Sequence, residues 1–124
     1  MSPTGWLAFL VAGSVGALLR YVVDLAVADR TEGAFPWGTF TVNVSGSFLS
    51  GFVTGLALYH GLSSTPRLVA AVGFCGAFTT FSTFTFETVR LLEEGALAEA
   101  VLNVGLTVVT AAGAAALGLL VASR

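Results

Sequence analysis

Gly73–Phe86 reads GFCGAFTTFSTFTF and lies inside an apolar segment long enough to cross a bilayer. It holds two glycines, five hydroxyl side chains and five phenylalanines. Gly73 and Gly76 loosen the backbone, Thr79-Thr80 follows, and rings then alternate with hydroxyls. Lipid offers no hydrogen bonds, so hydroxyls at this depth face protein, water or an ion. On a helix advancing about 100° per residue, Thr79, Ser82 and Thr83 share one side. Phe81 and Phe84 fall roughly opposite, with Thr85 beside Phe81. One reading is a packing helix whose hydroxyls bond back to their own carbonyls. The other is a lining for a polar path, and the remaining segments weigh toward it.

The flanking sequence makes this segment the third of four apolar spans, at about residues 5–28, 38–59, 67–92 and 97–122. The chain has 124 residues, 56% hydrophobic and 10% charged, with mean hydropathy +0.92. A soluble domain carries about 25% charged residues, so the chain reads as an all-α integral membrane protein, a single transmembrane domain over residues 1–124. A bundle this small does not easily enclose a pore alone, which points to an oligomer in the lipid bilayer. All five basic residues are arginines and the net charge is −2, so no basic tract suggests a nucleic-acid partner. The single Cys75 excludes an internal disulfide and a multi-cysteine metal site. The first apolar run continues past Arg20 and reads as a span, not a cleaved leader.

Each span carries a polar signature. In the first, Gly13, Ala17, Arg20 and Asp24 share a face. Arg20 reads either as an interfacial anchor paired with Asp24 or as a fixed positive charge at a pore mouth. In the second, Asn43, Ser47, Ser50 and Thr54 form a stripe, and Ser47, Gly51 and Gly55 form small-xxx-small steps. An amide at Asn43 needs partners at membrane depth, from a neighbouring helix or a permeant species. The third is longer than a straight crossing requires, and its glycines predict an interruption near its middle. In the fourth, Asn103, Thr107 and Thr110 repeat the spacing. His60 reads as an exposed residue at a helix end.

Arg67 and Arg124 flank one side of the membrane and Arg30 and Arg90 the other, with Arg20 close to it. Loop arginines so nearly balanced give almost no orientation signal, which predicts insertion both ways and an antiparallel homodimer. No nucleophile–base pair, metal-ligand cluster or phosphate loop is visible, so the chain does not read as an enzyme. Acids lie near span ends, which favours passive conduction over proton coupling. Hydroxyls and Asn43 donate to anions. Ring edges attract anions while ring faces attract cations, and composition alone leaves the ion open. A break in the third span also frees backbone carbonyls for a cation, with Gly76 and Thr79 placed to supply them at a dimer centre.

The assembled motifs resemble the Fluc (CrcB) family of bacterial and archaeal fluoride channels. They are Gly16-Ala-Leu-Leu-Arg20-Tyr21, the run from Gly38 through Asn43 and Ser47 to Gly51, and the run from Gly73 to Phe84. The resemblance covers all four spans. It implies an antiparallel, dual-topology dimer with two fluoride pores and passive export that relieves cytoplasmic fluoride toxicity. It also implies a structural sodium ion held by main-chain oxygens of Gly76 and Thr79. It places pore rings at Phe81 and Phe84, a pore asparagine at Asn43, a vestibule arginine at Arg20, and a polar track at Ser82, Thr83 and Thr85. Glu87 matches an acidic position near the pore end. Ser47 and Thr107 join the candidate pore residues through their stripes. Ala77 stands where many relatives carry a second glycine, and Asn103 takes a place often aromatic. The alternative weighed is a small dual-topology multidrug-type exporter, a class built around a carboxylate within its first span. Ser14–Ala17, the middle of the span here, has none. A non-transporting assembly subunit explains the small-residue steps but not three polar stripes.

Overall fold

A computed structural model describes residues 1–124, all helical apart from short connections. Four segments are long and apolar enough to cross a membrane: Pro3–Ala28, Trp37–His60, Ser64–Glu93 and Leu97–Ala122. We label Pro3–Ala28 α1 and Trp37–His60 α2. The third span comprises two rods. The first, α3, runs over residues 64–78 as an α-turn, a π-helical stretch Leu68–Phe74 and a second α-turn. The second, α4, is Phe81–Glu93. The last helix, α5, is Leu97–Ala122.

Local chemistry sets these ends. Ser2 caps α1 by accepting the Gly5 N–H at 3.1 Å, with Pro3 just inside, so the helix starts two residues before the expected position 5. Gly61 stops α2 in the left-handed region at φ 69°, its N–H returning to Leu56. Gly95, at φ 77°, turns α4 into α5, and Ala96 N–H reaches back to Leu91 O at 2.8 Å. The third span starts at Ser64, three residues before the expected 67. Gly73 and Gly76 stay helical, and the extended residues are Thr79 and Thr80.

The spans pack as two parallel pairs. α1 lies along α3, and α2 lies along α5 in the largest contact of the fold. Small residues permit both. A Cβ on Gly51 would strike the Ala115 carbonyl, and one on Gly118 would strike the Phe48 carbonyl and the Phe52 N–H. The steps at Gly51 and Gly55 are therefore consumed inside the chain, against α5. A Cβ on Gly16 would meet the Phe74 carbonyl across the α1–α3 contact at 2.5 Å.

α4 is the odd element. It packs on α5 and little else, burying Phe84 and Leu91. Phe81, Phe86 and Val89 remain 77%, 67% and 52% exposed. Leu7, Leu10 and Leu18 on α1 are likewise exposed, as expected of lipid-facing positions.

Candidate functional site

The site forms where the third span stops being a helix. Thr79 (φ −79°, ψ 160°) and Thr80 (φ −146°, ψ 123°) are both extended. Extended residues at membrane depth must send their backbone groups somewhere other than the helical ladder. Asn43 on α2 takes both groups of Thr80: its Nδ2 donates to Thr80 O at 2.9 Å, and Thr80 N–H donates to its Oδ1 at 2.7 Å. The backbone fixes the amide's orientation, since an N–H only donates and a C=O only accepts. Arg20 Nη1 donates to Thr79 O at 3.3 Å. Thr80 Oγ1 then caps α4, accepting Thr83 N–H at 3.1 Å while donating to Thr83 Oγ1 at 3.0 Å.

This redirection leaves a vacancy in the ladder. In an unbroken helix Thr80 N–H would bond the Gly76 carbonyl. Here it bonds Asn43, and no backbone or side-chain donor takes Gly76 O. Gly76 is exposed, with open space where a Cβ would stand.

Two cavities flank the opened segment, the first mainly polar and the second mainly apolar, with Thr80 lining both. One, about 210 Å³, is lined by Arg20, Tyr21, Asp24, Thr39 and Thr83. The other, about 250 Å³, gathers Asn43, Ser47, Phe81, Phe84 and Thr107. Five of the residues singled out in the sequence, from three different helices and as far as 64 positions apart, thus meet in one place. The Phe81 and Phe84 rings sit 6.0 Å apart at 39°. Phe84 is 9% exposed and Phe81 77%.

Hydroxyl protons sort the candidates further. Thr85 donates back to Phe81 O at 3.1 Å and Ser82 O at 3.0 Å, and Ser82 faces outward. Thr83 alone of that trio lines a cavity. Thr107 donates to Asn103 Oδ1 at 3.2 Å, so its proton points away from the rings. Of the hydroxyls lining the ring cavity, only Ser47 has no partner, and Asn43 keeps its second N–H. Arg20 does not pair with Asp24. The one ion pair in the chain is Arg90–Glu94, 3.5 Å apart and exposed at both ends. The guanidinium prefers a fixed carbonyl across the α1–α3 contact to an i,i+4 partner on its own helix.

Several partners escaped the sequence reading. Thr39 donates to Glu87 Oε1 at 3.0 Å, while Glu87 Oε2 is buried without a partner. Thr39 precedes Asn43 by one turn, so extending the α2 stripe backwards would have found it. Asn103, 1% exposed, donates to Thr88 Oγ1 at 2.9 Å, and Thr88 donates to Phe84 O at 2.7 Å. Nothing in the spacing signals Thr88, because its role depends on a helix that arrives later in the chain. His60 Nε2 lies 2.7 Å from Ala122 O, tying the ends of α2 and α5.

A four-span membrane fold with an opened third span, a guanidinium on one side of the opening and phenyl rings on the other, defines a multi-pass membrane protein whose polar side chains gather where the third span parts. Comparison with known proteins makes this specific. The family described as CrcB-like protein, Camphor Resistance (CrcB), matches residues 7–119. The chain is 47% identical over 121 residues to the "Fluoride-specific ion channel FluC 1" of Frankia casuarinae, covering 91% of this chain and 92% of the relative. It is 44% identical over 113 residues to the protein of that name from Streptomyces avermitilis, covering 91% of each. It is 42% identical over 120 residues to the "Fluoride-specific ion channel FluC" of Acidobacterium capsulatum, covering 96% of this chain and 94% of the relative. The chain belongs to the CrcB family.

Proposed function

We propose that this protein is a fluoride-selective channel of the cell's inner (plasma) membrane, letting fluoride leave the cytoplasm passively and so relieving fluoride toxicity. The observation that carries the reading is the cavity where the Phe81 and Phe84 rings converge with Asn43, Ser47 and Thr107. Fluoride is small and strongly hydrated, so a selective path must replace its water with fixed donors. The free hydroxyl of Ser47 and the second N–H of Asn43 supply conventional ones. The ring edges of Phe81 and Phe84 add polarised C–H groups, weak singly but held by packing. Arg20, in the neighbouring cavity, adds a fixed positive charge that raises local anion concentration.

The working unit in this reading is an antiparallel, dual-topology homodimer. It is supported by the near balance of arginines between the two sides and by the unpartnered face of α4, where Phe81 is 77% exposed. A second copy of the chain there would close the path beside Phe81.

Gly76 and Thr79 suit a structural sodium ion between the subunits. Carbonyl oxygens are hard, neutral donors of the kind alkali cations take. Gly76 O has no hydrogen bond, and Thr79 O keeps one lone pair beyond the one Arg20 uses. Bound there, sodium supplies positive charge at the subunit boundary, and the residues' part is to present oxygens that the helix would otherwise have consumed.

The test is efflux from liposomes containing the purified protein. Fluoride release with chloride retained is the expected result. Equal release of both ions, or of neither, overturns the reading.

A further inference from the structure

The opened backbone raises a question of cause: why does the helix not simply continue through Thr79 and Thr80? A rewound helix would satisfy Thr80 N–H with Gly76 O, and each buried polar group left unpaired costs about 1–3 kcal/mol. Extended Thr80 is therefore tolerable only because something else takes its groups. That is the Asn43 carboxamide, which meets Thr80 N–H and Thr80 O at 2.7 and 2.9 Å, as a neighbouring β-strand would. The two residues are 37 positions apart and on different helices. The same bond that holds Thr80 open is the bond that Gly76 O lacks.

We propose that Asn43 is the positioning residue of the cation site: its Oδ1, by taking Thr80 N–H, keeps the Gly76 carbonyl free to ligate sodium. This rests on the sodium reading above and assigns Asn43 a task separate from donating to fluoride. The two tasks use different atoms. Oδ1 and one N–H hold the backbone, and the second N–H is left for the ring-lined cavity. Arg20 does not substitute for Asn43, because it only donates, and it donates to Thr79 O.

The division of atoms gives an unusual mutational signature. Asn43→Asp retains an oxygen acceptor for Thr80 N–H and loses only the donor half. Asn43→Leu keeps the bulk and loses both. With Leu, Thr80 N–H has no acceptor except Gly76 O, so the helix rewinds and the carbonyl is consumed. If the acceptor is what matters, Asp retains the cation site and Leu does not. If Asn43 only packs the break, Asp fails at least as badly as Leu, since it buries a charge and breaks a bond.

The experiment follows sodium binding without reference to flux. The detergent-purified protein is stripped into N-methylglucamine chloride. Its thermal unfolding, read by Trp6 and Trp37 fluorescence, is then followed while sodium replaces N-methylglucamine at constant ionic strength. A bound ion stabilises the folded state by mass action, so the half-effect concentration reports affinity. Wild type and Asn43→Asp are expected to respond at similar sodium concentrations. Asn43→Leu is expected to need about 10- to 100-fold more, the usual loss when a residue orienting a metal ligand is removed. Should Asn43→Leu fail to assemble, Asn43→Asp decides: a retained response supports the assignment and a lost one overturns it. An assembled Asn43→Leu with the wild-type response also overturns it. A wild type with no response at all ends the sodium reading itself, a separate result that takes this assignment with it.

Discussion

Asn103→Leu should be milder than Thr88→Val, although Asn103 is the larger polar group and is almost wholly buried. Asn103 is 1% exposed and makes two side-chain bonds, to Thr88 Oγ1 at 2.9 Å and from Thr107 Oγ1 at 3.2 Å. Replacing it with leucine, which has the same branched skeleton and larger methyl ends, leaves no cavity and removes the amide with its bonds. Neither hydroxyl is orphaned. Thr88 already donates to Phe84 O at 2.7 Å, and Thr107 is one helical turn from the residue 103 carbonyl, to which it can turn. Side-chain hydrogen bonds within membrane proteins average about 0.6 kcal/mol in double-mutant cycles. Two such bonds set the cost near 1 kcal/mol. Thr88→Val instead leaves the Asn103 N–H buried without an acceptor, which costs about 1–3 kcal/mol. The double variant, having no amide to orphan, should fall back near the Asn103→Leu value. Reversible unfolding in mixed detergent measures all three. The reasoning is refuted if the double variant costs the sum of the singles, or if Asn103→Leu costs more than Thr88→Val.

Four further outcomes follow from the packing, the cavities and the loop charges. Phe84→Ile keeps bulk at a 9% exposed ring and loses the aromatic edge, so it should cut fluoride efflux while leaving dimer content, checked by crosslinking, unchanged; wild-type flux in an assembled variant removes this ring from the ion path. Phe81→Tyr should also conduct poorly, because its hydroxyl intrudes beside the path, and normal efflux counts against that placement. Gly118→Val drives a branched side chain into the Phe48 carbonyl and Phe52 N–H, so α2 and α5 must separate and most of the folded protein should be lost, whereas Gly105→Ala, with open space around it, should be silent in the same gel-filtration assay. A terminal cysteine in a Cys75→Ser background should label in equal halves from the two sides of the membrane, and labelling from one side alone rules out the antiparallel dimer.

Much of the molecule was legible in its residues. Four runs near bilayer length with 10% charge fix an all-helical membrane protein, because the other backbone that pairs all its groups in lipid, the closed barrel, crosses in strands of only about 10 residues. Stripes at 4-3-4 spacing mark the inward faces except at the exposed end of one, Thr54, and the two that carry Asn43, Ser47 and Thr107 do meet. What periodicity cannot register is the direction of a hydrogen bond between helices. Read along one helix, Thr79, Ser82 and Thr83 are equivalent hydroxyls on one face, and Thr85 sits beside Phe81. In the fold Thr79 and Thr85 spend their protons on their own backbone, Ser82 faces outward, and Thr83 reaches a cavity. For the same reason the glycines predict an interruption near the middle of the span without saying which residues leave the helix. Gly73 and Gly76 permit an opening, but the backbone opens at Thr79 and Thr80, where Arg20 and Asn43 arrive to hold it. Propensity is local and says where a helix is able to part. The acceptor and donor that make parting affordable come from 37 and 59 residues away, and only the tertiary structure brings them to the spot.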